Sequence, residues 1–144
     1  MSLFSALSIS ASGMAAQRTR AELVTENLAN AETTRTPDGG PYRRKDVVFQ
    51  TESADSPFAS AMDSAMGGTG GVAVSEILVD QRDPEQRYMP GHPDAGANGY
   101  VAYPRVNPAE EMVDLMSASN GYQANVASMS AVKDMIQRSI DLLR

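Results

Sequence analysis

The chain has 144 residues, of which 42% are hydrophobic and 21% charged, so its composition is that of one globular domain rather than a disordered segment. Its net charge of −6 argues against a nucleic-acid partner, because contacts with phosphate groups need a basic surface. The absence of cysteine excludes disulfides and thiolate metal sites, and no apolar run is long enough to predict a membrane-spanning segment.

Helix-breaking residues are concentrated in the middle of the chain. Nine of the 11 glycines and seven of the eight prolines lie between Ala31 and Asn107. We therefore predict an N-terminal helix within residues 1–31, a β-rich middle module over 32–107 and a C-terminal helix within 108–144. The predicted fold class is α+β, with the two terminal helices forming an antiparallel coiled-coil pair.

The first helix is predicted over residues 2–30, where apolar residues recur at seven-residue spacing. Ser10 and Gln17 interrupt this heptad row, and a rival register through Ile9 and Ala16 fits part of the same segment. The residues assigned to the assembly interface are Leu3, Leu7, Met14, Ala21, Val24 and Leu28.

Three strands are predicted in the middle module. They are KDVVFQT at 45–51, VAVSEILV at 72–79 and the segment from Tyr100 to Tyr103. In the second of them the alternation of apolar residues shifts between Val74 and Ile77, as a β-bulge would produce.

The segment between the first two strands, residues 53–71, is rich in serine, alanine and glycine and ends in GGTGG. It lacks the Lys-Ser/Thr pair of a phosphate-binding loop, so we interpret it as a flexible loop rather than a nucleotide site. The basic run Arg43, Arg44 and Lys45 stands in an acidic module, and we expect it to pair with carboxylates on adjacent chains.

His92 is the only histidine and lies in the turn sequence PGHPD, close to Asp94. A secreted enzyme with a site around His92, Asp94 and Arg87 is therefore an alternative function. A solvated loop histidine is the favoured interpretation, and no catalytic, cofactor-binding or metal-binding residue is assigned.

The second helix is predicted to begin at Pro108. Asn107 can cap free backbone amides, proline suits the first helical position, and Glu110 and Glu111 favour the positive end of the helix dipole. Apolar residues fill eight of ten heptad positions and complete the predicted assembly interface: Met112, Leu115, Tyr122, Val126, Met129, Ile136, Ile140 and Leu143.

An isolated pair of these helices would be marginally stable, because ordering each residue costs about 1–2 kcal/mol of backbone entropy and several heptad positions hold only alanine. We expect neighbouring chains to cover the remaining apolar side chains, among them Met116, Val132 and Met135. The sequence therefore predicts a polymerising structural protein. An adaptor whose helices bind an unrelated partner is a second alternative.

Two segments resemble a known family. SASGMAAQRTRAELVTENLANAETTRTPDGGPYRR, at 10–44, resembles the N-terminal signature of bacterial flagellar rod and hook proteins, and NPAEEMVDLMSASNGYQANVASMSAVKDM, at 107–135, resembles their C-terminal helix. TTRTPDGGPYRRKDVVF and DPEQRYMPGHPDAGANGYVAYPRVN are most similar to proximal rod members. The length of 144 residues also favours a proximal rod protein, because hook and distal-rod relatives are much longer.

The resemblance implies a structural subunit of the proximal rod, without enzymatic activity or cofactor. It implies assembly with copies of itself and with other proximal and distal rod proteins into the tubular drive shaft that transmits motor torque and carries the export channel. It also implies export by the flagellar type III apparatus, without a cleaved signal peptide, into a rod that crosses the periplasm. The first 17 residues agree with this, because they lack a basic n-region. Another axial protein of the same family remains an alternative.

The chain departs from the family pattern at Asn120 and Gly121, where relatives usually carry arginine followed by a small or polar residue. Glycine inside a helix costs about 1 kcal/mol relative to alanine. We therefore predict a local bend or a close helix contact at Gly121.

Overall fold

The structure, a computed structural model, describes residues 3–37, 39–51 and 70–142. Over these residues the fold is α+β, as predicted, with two long helices and four strands in the order α1–β1–β2–β3–β4–α2. These elements are α1 (Leu3–Ala29), β1 (Lys45–Thr51), β2 (Val72–Val79), β3 (Glu85–Tyr88), β4 (Tyr100–Tyr103) and α2 (Pro108–Asp141). Of the predicted loop at 53–71, all but Gly70 and Gly71 lies outside the described residues.

Local capping sets the start of α2. The Asn107 side chain accepts a hydrogen bond from the Ala109 backbone N–H at 3.1 Å, and Pro108 occupies the first helical position. Glu110 and Glu111 lie in the first turn, where a negative charge favours the helix dipole. The predicted start of this helix is confirmed.

β1 and β2 form an antiparallel pair that runs from Lys45 opposite Val79 to Thr51 opposite Val72. The register shifts between Val48 and Phe49, whose partners are Glu76 and Val74, so β2 carries one extra residue at this point. The bulge lies between Val74 and Ile77, where the sequence predicted it, so this prediction is confirmed.

β3 and β4 form a second antiparallel pair, and β3 was not predicted. Its sequence EQRY shows no alternation of apolar residues, and all four of its residues are exposed. Gly99 directly precedes β4, in the connection between these two strands. Its φ is +75°, and an added Cβ would lie 2.8 Å from Tyr88 Cε2, so this turn requires glycine.

The β1–β2 pair lies against α1. The hydroxyl of Ser12 in α1 accepts a hydrogen bond from the Val72 backbone N–H at 3.0 Å. Ala16 and Leu23 of the rival heptad register are buried, and so is Val24 of the preferred register. Both registers of α1 therefore contribute to the core, because this helix contacts a sheet as well as α2.

The two helices pack against each other in opposite directions. Moving forward along α1, Gly13 lies against Asn125, Gln17 against Gly121, and Arg20 forms an ion pair with Asp114 at 3.0 Å. Neither of the described helices combines the length and apolar character that crossing a membrane would need.

Candidate functional site

The face of α2 that meets α1 is displaced by one residue from the predicted heptad row. The buried residues of α2 are Glu111, Ala118 and Val132, and Asn125, on the same seven-residue row, is half-buried. Val132 was expected to need a neighbouring chain, but it is only 7% exposed within this chain. Three of the four residues on this row are small or polar, and Val132 is the exception.

The heptad row that the sequence predicted, which starts at Met112, one residue after Glu111, lies at the surface. Met112 is 53% exposed, Val126 40% and Ile140 58%, although all three are apolar. Met116 and Met135, expected to face neighbouring chains, are 59% and 49% exposed. This helix therefore has one face packed on α1 and a separate apolar surface without a partner in the described chain.

The other residues assigned to the assembly interface differ in their exposure. Tyr122 is 42% exposed and Val24 is 5% exposed. The side chains of Leu3 and Leu143 lie outside the described part of the structure. The half-buried members are Leu7, Met14, Ala21, Leu28, Leu115, Met129 and Ile136.

Two glycines lie where a side chain of one helix contacts the other helix closely. A Cβ added at Gly13 would lie 3.0 Å from the amide of Asn125, and one added at Gly121 would lie 3.1 Å from Gln17 Cδ. Each helix thus places a glycine against a side-chain amide of the other. Of the alternatives predicted for Gly121, the close helix contact is present, within a helix that continues from residue 108 to 141.

The amides at this contact differ in their bonding. Asn125 Nδ2 donates to the Gly121 backbone oxygen at 2.9 Å, which holds the side chain along its own helix. Gln17 Oε1 is buried and, over the described residues, has no hydrogen-bond partner. The pair therefore keeps one unsatisfied acceptor, which costs stability.

A buried polar junction joins the two helices to the sheet, and it consists of Asn27, Tyr42, Arg44, Lys45 and Glu111. Asn27 is 0% exposed and is fully bonded. Its Nδ2 donates to the Lys45 oxygen at 2.8 Å and to Glu111 Oε2 at 3.1 Å. Its Oδ1 accepts from the Tyr42 hydroxyl and the Lys45 backbone N–H, both at 2.9 Å. All its hydrogen-bonding capacity is used.

Glu111 supplies the buried charge of the polar junction and is 1% exposed. Its Oε1 accepts from Arg44 Nε at 2.6 Å, and the same guanidinium contacts Asp46 at 3.1 Å and Asp114 at 3.6 Å. A buried carboxylate is stable only with such a partner, because desolvation of an unpaired charge costs several kcal/mol.

Burial also changes the titration of Tyr42. Removal from water, together with the negative charges of Glu26 and Glu111, raises the pKa of Tyr42 to about 12. The neutral phenol is therefore retained as the donor to Asn27 at any physiological pH.

The polar junction gives two members of the basic run partners in their own chain. Arg44 pairs with Glu111, and Lys45 Nζ forms a salt bridge with Glu26 Oε1. Arg43 is exposed and donates to the Asp80 backbone oxygen at 3.0 Å. Pairing of this run with adjacent chains stays a prediction, and Arg43 is its most accessible member.

The residues of the alternative enzyme site have other partners. His92 Nδ1 accepts from the Asp94 backbone N–H at 3.1 Å, while the Asp94 carboxylate accepts from Thr34 Oγ1 at 2.8 Å and pairs with Arg35 at 3.6 Å. Asp94 thus fastens the β3–β4 connection to the loop after α1. Within 3–37, 39–51 and 70–142, no three histidine or carboxylate side chains are grouped to hold a metal ion.

The family model described as "Flagellar basal body rod FlgEFG protein C-terminal" matches residues 97–142. The chain is also 43% identical to the flagellar basal-body rod protein FlgC of Bacillus subtilis (strain 168), over 99% of each chain. It is 41% identical to the protein of that name from Salmonella typhimurium, over 99% of this chain and 98% of the relative. Its identity to the one from Borreliella burgdorferi is 37%, over 100% of this chain and 99% of the relative.

The chain belongs to the FlgC family of flagellar basal-body rod proteins. Its role is that of a structural subunit of the basal-body rod.

The sequence interpretation, which looked for apolar rows, predicted the contact at Gly121 but missed the other small and polar residues that join the helices. Gly13 and Asn27 lie on one seven-residue row of α1, and Glu111, Ala118 and Asn125 lie on another in α2. A search for repeated small and polar residues would have detected both rows. Heptad spacing alone does not say which of two rows meets the partner helix.

Proposed function

We propose that this chain is a proximal rod subunit that polymerises through its terminal helices. In this proposal α1 and α2 form an antiparallel coiled-coil pair that packs with neighbouring copies and with other proximal and distal rod proteins into a tube. The module at 32–107 lies outside the tube, and the tube transmits motor torque and carries the export channel.

The exposed apolar surface of α2 is the observation that supports this proposal. Only three of the 34 residues of this helix are buried, among those described. Large apolar side chains between 40% and 60% exposed follow one another along it: Met112, Val113, Met116, Tyr122, Val126, Met135 and Ile140. Exposed apolar surface of this extent marks an association surface, since burial gains about 25 cal/mol per Å².

The shape of the helices suits a shaft. At about 1.5 Å per residue, α1 would be roughly 40 Å long and α2 roughly 50 Å. Long helices packed side by side resist bending when each shares its load with several neighbours. A chain whose helices are only marginally stable alone also suits export in an unfolded state by the type III apparatus, without a cleaved signal, and assembly where the rod crosses the periplasm.

Charge introduced on the exposed apolar surface tests the proposal. Val126→Glu and Met116→Glu should abolish rod assembly and motility, because an unpaired carboxylate would be buried between subunits. Val126→Leu and Met116→Leu, which keep the same positions apolar, are the matched controls and should retain motility. Electron microscopy of basal bodies and swimming assays measure both, and normal motility of Val126→Glu at wild-type protein levels would contradict the proposal.

The isolated chain provides a second test. Far-UV circular dichroism of the purified monomer should show low helicity that increases with protein concentration. A strongly helical spectrum with a cooperative melt that does not depend on concentration would count against assembly-dependent folding.

A further inference from the structure

A small cavity lies between the loop after α1 and the segment after β2, with a volume of about 40 Å³. Its charged lining residues, among those described, are Arg43, Arg44, Arg82, Arg105 and Asp80, and we call it the arginine cavity. These residues come from three separate stretches of sequence, so only the folded chain brings them together. The concentration of positive charge is unusual in a chain of net charge −6.

The positive charge of the arginine cavity is only partly neutralised. Arg44 is paired with the buried Glu111 at 2.6 Å, and Arg82 holds Asp80 through contacts of 2.6, 2.9 and 3.0 Å. Arg44 also contacts Asp46 and Asp114, so its charge is balanced. Arg43 and Arg105, by contrast, make no salt bridge among the described residues. Hydrogen bonds from Arg82 are the main reason that the pKa of Asp80 is lowered to about 2, so this carboxylate is ionised and fully engaged.

Two arginines keep donors for another group. Arg43 is exposed and uses Nη1 on the Asp80 backbone oxygen at 3.0 Å. Arg105 is exposed and makes no salt bridge within the described part of the chain. A guanidinium presents its N–H groups as a planar fork that matches the two oxygens of a carboxylate.

The dimensions restrict what can enter. A cavity of about 40 Å³ accommodates a group of a few atoms, such as a carboxylate, and is too small for a nucleotide. Arg82 and Arg105 also border an open groove of about 500 Å³, where Glu85 and Glu110 lie on the lining. A protein segment can lie in this groove of mixed charge while one of its carboxylates reaches the arginine cavity.

We infer that Arg43 and Arg105, beside the Arg82–Asp80 pair, bind a carboxylate of a second copy of this chain. The inference rests on the proposed function, in which copies are neighbours. The chain itself carries the complementary charge: Asp134 and Asp141 are exposed, lie seven residues apart on α2 and form no salt bridge among the described residues. They place two carboxylates on one face of a rigid helix.

Reversal of one charge tests the inference. Arg105→Glu should cause loss of swimming, because it sets a carboxylate against the incoming one, whereas Arg105→Lys should retain most of it. Arg87→Glu is the matched control, since Arg87 is also exposed, lies in the same module and pairs with a carboxylate two residues away. Immunoblots must show equal amounts of all variants.

A charge swap identifies the occupant. Asp134→Arg or Asp141→Arg, combined with Arg105→Glu, should restore swimming. Normal swimming of Arg105→Glu and of the double variant Arg82→Glu/Arg105→Glu would overturn the inference. So would restoration only by acid-to-base changes in a different rod protein, or an equal loss in Arg105→Lys, which would indicate a packing role.

Deletion of the whole chain separates this inference from the proposed function. If deletion stops rod assembly while the Arg105 variants swim normally, only the arginine cavity has been misassigned. If deletion leaves normal flagella, the proposed function itself fails.

Discussion

The two ends of the helix pair differ in how their side chains are satisfied. At the polar junction, Asn27 and Glu111 are 0% and 1% exposed and find every partner within the chain. At the opposite end, which we call the open end, Phe4 is 79% exposed, Ile140 58% and Leu142 88%. The chain therefore fixes the geometry of one end by itself and leaves apolar surface at the other.

A groove at the open end agrees with this difference in exposure. Leu7, Met129, Ile136 and Ile140 line an apolar groove of about 470 Å³, with Lys133 among its polar members. A protein that must be assembled from separate chains can have a fixed junction that orients the helices and an open end that is completed by a neighbour. Four substitutions test this comparison, from the largest expected effect to the smallest.

Removal of the buried charge should have the largest effect. Glu111→Ala removes the fully buried partner of Arg44, which keeps only Asp46 and Asp114, and one acceptor of Asn27 Nδ2. Breaking a buried pair costs about 3–5 kcal/mol. Glu110→Ala, its exposed neighbour, should cost less than about 1 kcal/mol. The free energy of unfolding can be measured by circular dichroism in urea, with trimethylamine N-oxide added to stabilise the monomer. Equal losses for the two variants would show that the polar junction does not hold this end.

A large side chain at the helix contact should have the next largest effect. Gly121→Leu must push Gln17 aside, and overpacking of this kind costs about 1–3 kcal/mol. Gly121→Ala adds a methyl group 3.1 Å from Gln17 Cδ but gains about 1 kcal/mol of helix propensity, so we expect its stability to change little. The same urea titration compares both with the wild type. If the leucine variant were as stable as the alanine variant, the helices would not be in close contact here.

Loss of the Tyr42 hydroxyl should have a smaller effect of about 1 kcal/mol, because Asn27 loses one hydrogen bond. The pKa of this phenol is raised from 10.0 to about 12, so the folded state holds the proton more tightly than the unfolded state. Its contribution is complete below pH 10 and is lost as the pH rises towards 12. Tyr42→Phe should remove this part of the alkaline destabilisation, which an alkaline series of urea titrations would measure. If the free energy of unfolding fell with rising pH as steeply in Tyr42→Phe as in the wild type, Tyr42 would not be the group responsible.

Truncation at the open end should have the smallest effect on the isolated chain. Ile140 is 58% exposed, so Ile140→Ala should change the free energy of unfolding by less than about 0.5 kcal/mol. Assembly should weaken nonetheless, which swimming assays and the yield of basal bodies would reveal. A loss of monomer stability as large as that of Glu111→Ala would remove the contrast between the two ends.

Local signals in the sequence predicted most elements. The start of α2 depends on Asn107 and Pro108, which act within one turn, and the bounds of β1, β2 and β4 agree with the predicted strands. The bulge in β2 was visible as a shift in alternation. β3 was missed because its four residues are exposed and its pairing with β4 supplies what its own sequence does not show.

The candidate site could not be predicted in the same way. The heptad pattern of α2 identified Met112, Val126 and Ile140 as a packing row. In the structure, a different row, through Glu111 and Ala118, packs against α1. When two rows of a helix are both able to pack, the local sequence does not indicate which row contacts the other helix of the same chain.

The sequence by itself determined where the helices begin and end, which segments form three of the four strands, and that the chain carries more apolar helix surface than it can cover alone. These properties follow from capping, backbone preference and residue periodicity, which act over a few neighbouring residues. Tertiary structure alone decided which face of α2 is covered, that Arg44 finds Glu111 across 67 positions of sequence, and that Arg43, Arg82 and Arg105 share one cavity. Each of these depends on desolvation and charge pairing between segments far apart in the chain, and those energies exist only once the fold has brought the groups together.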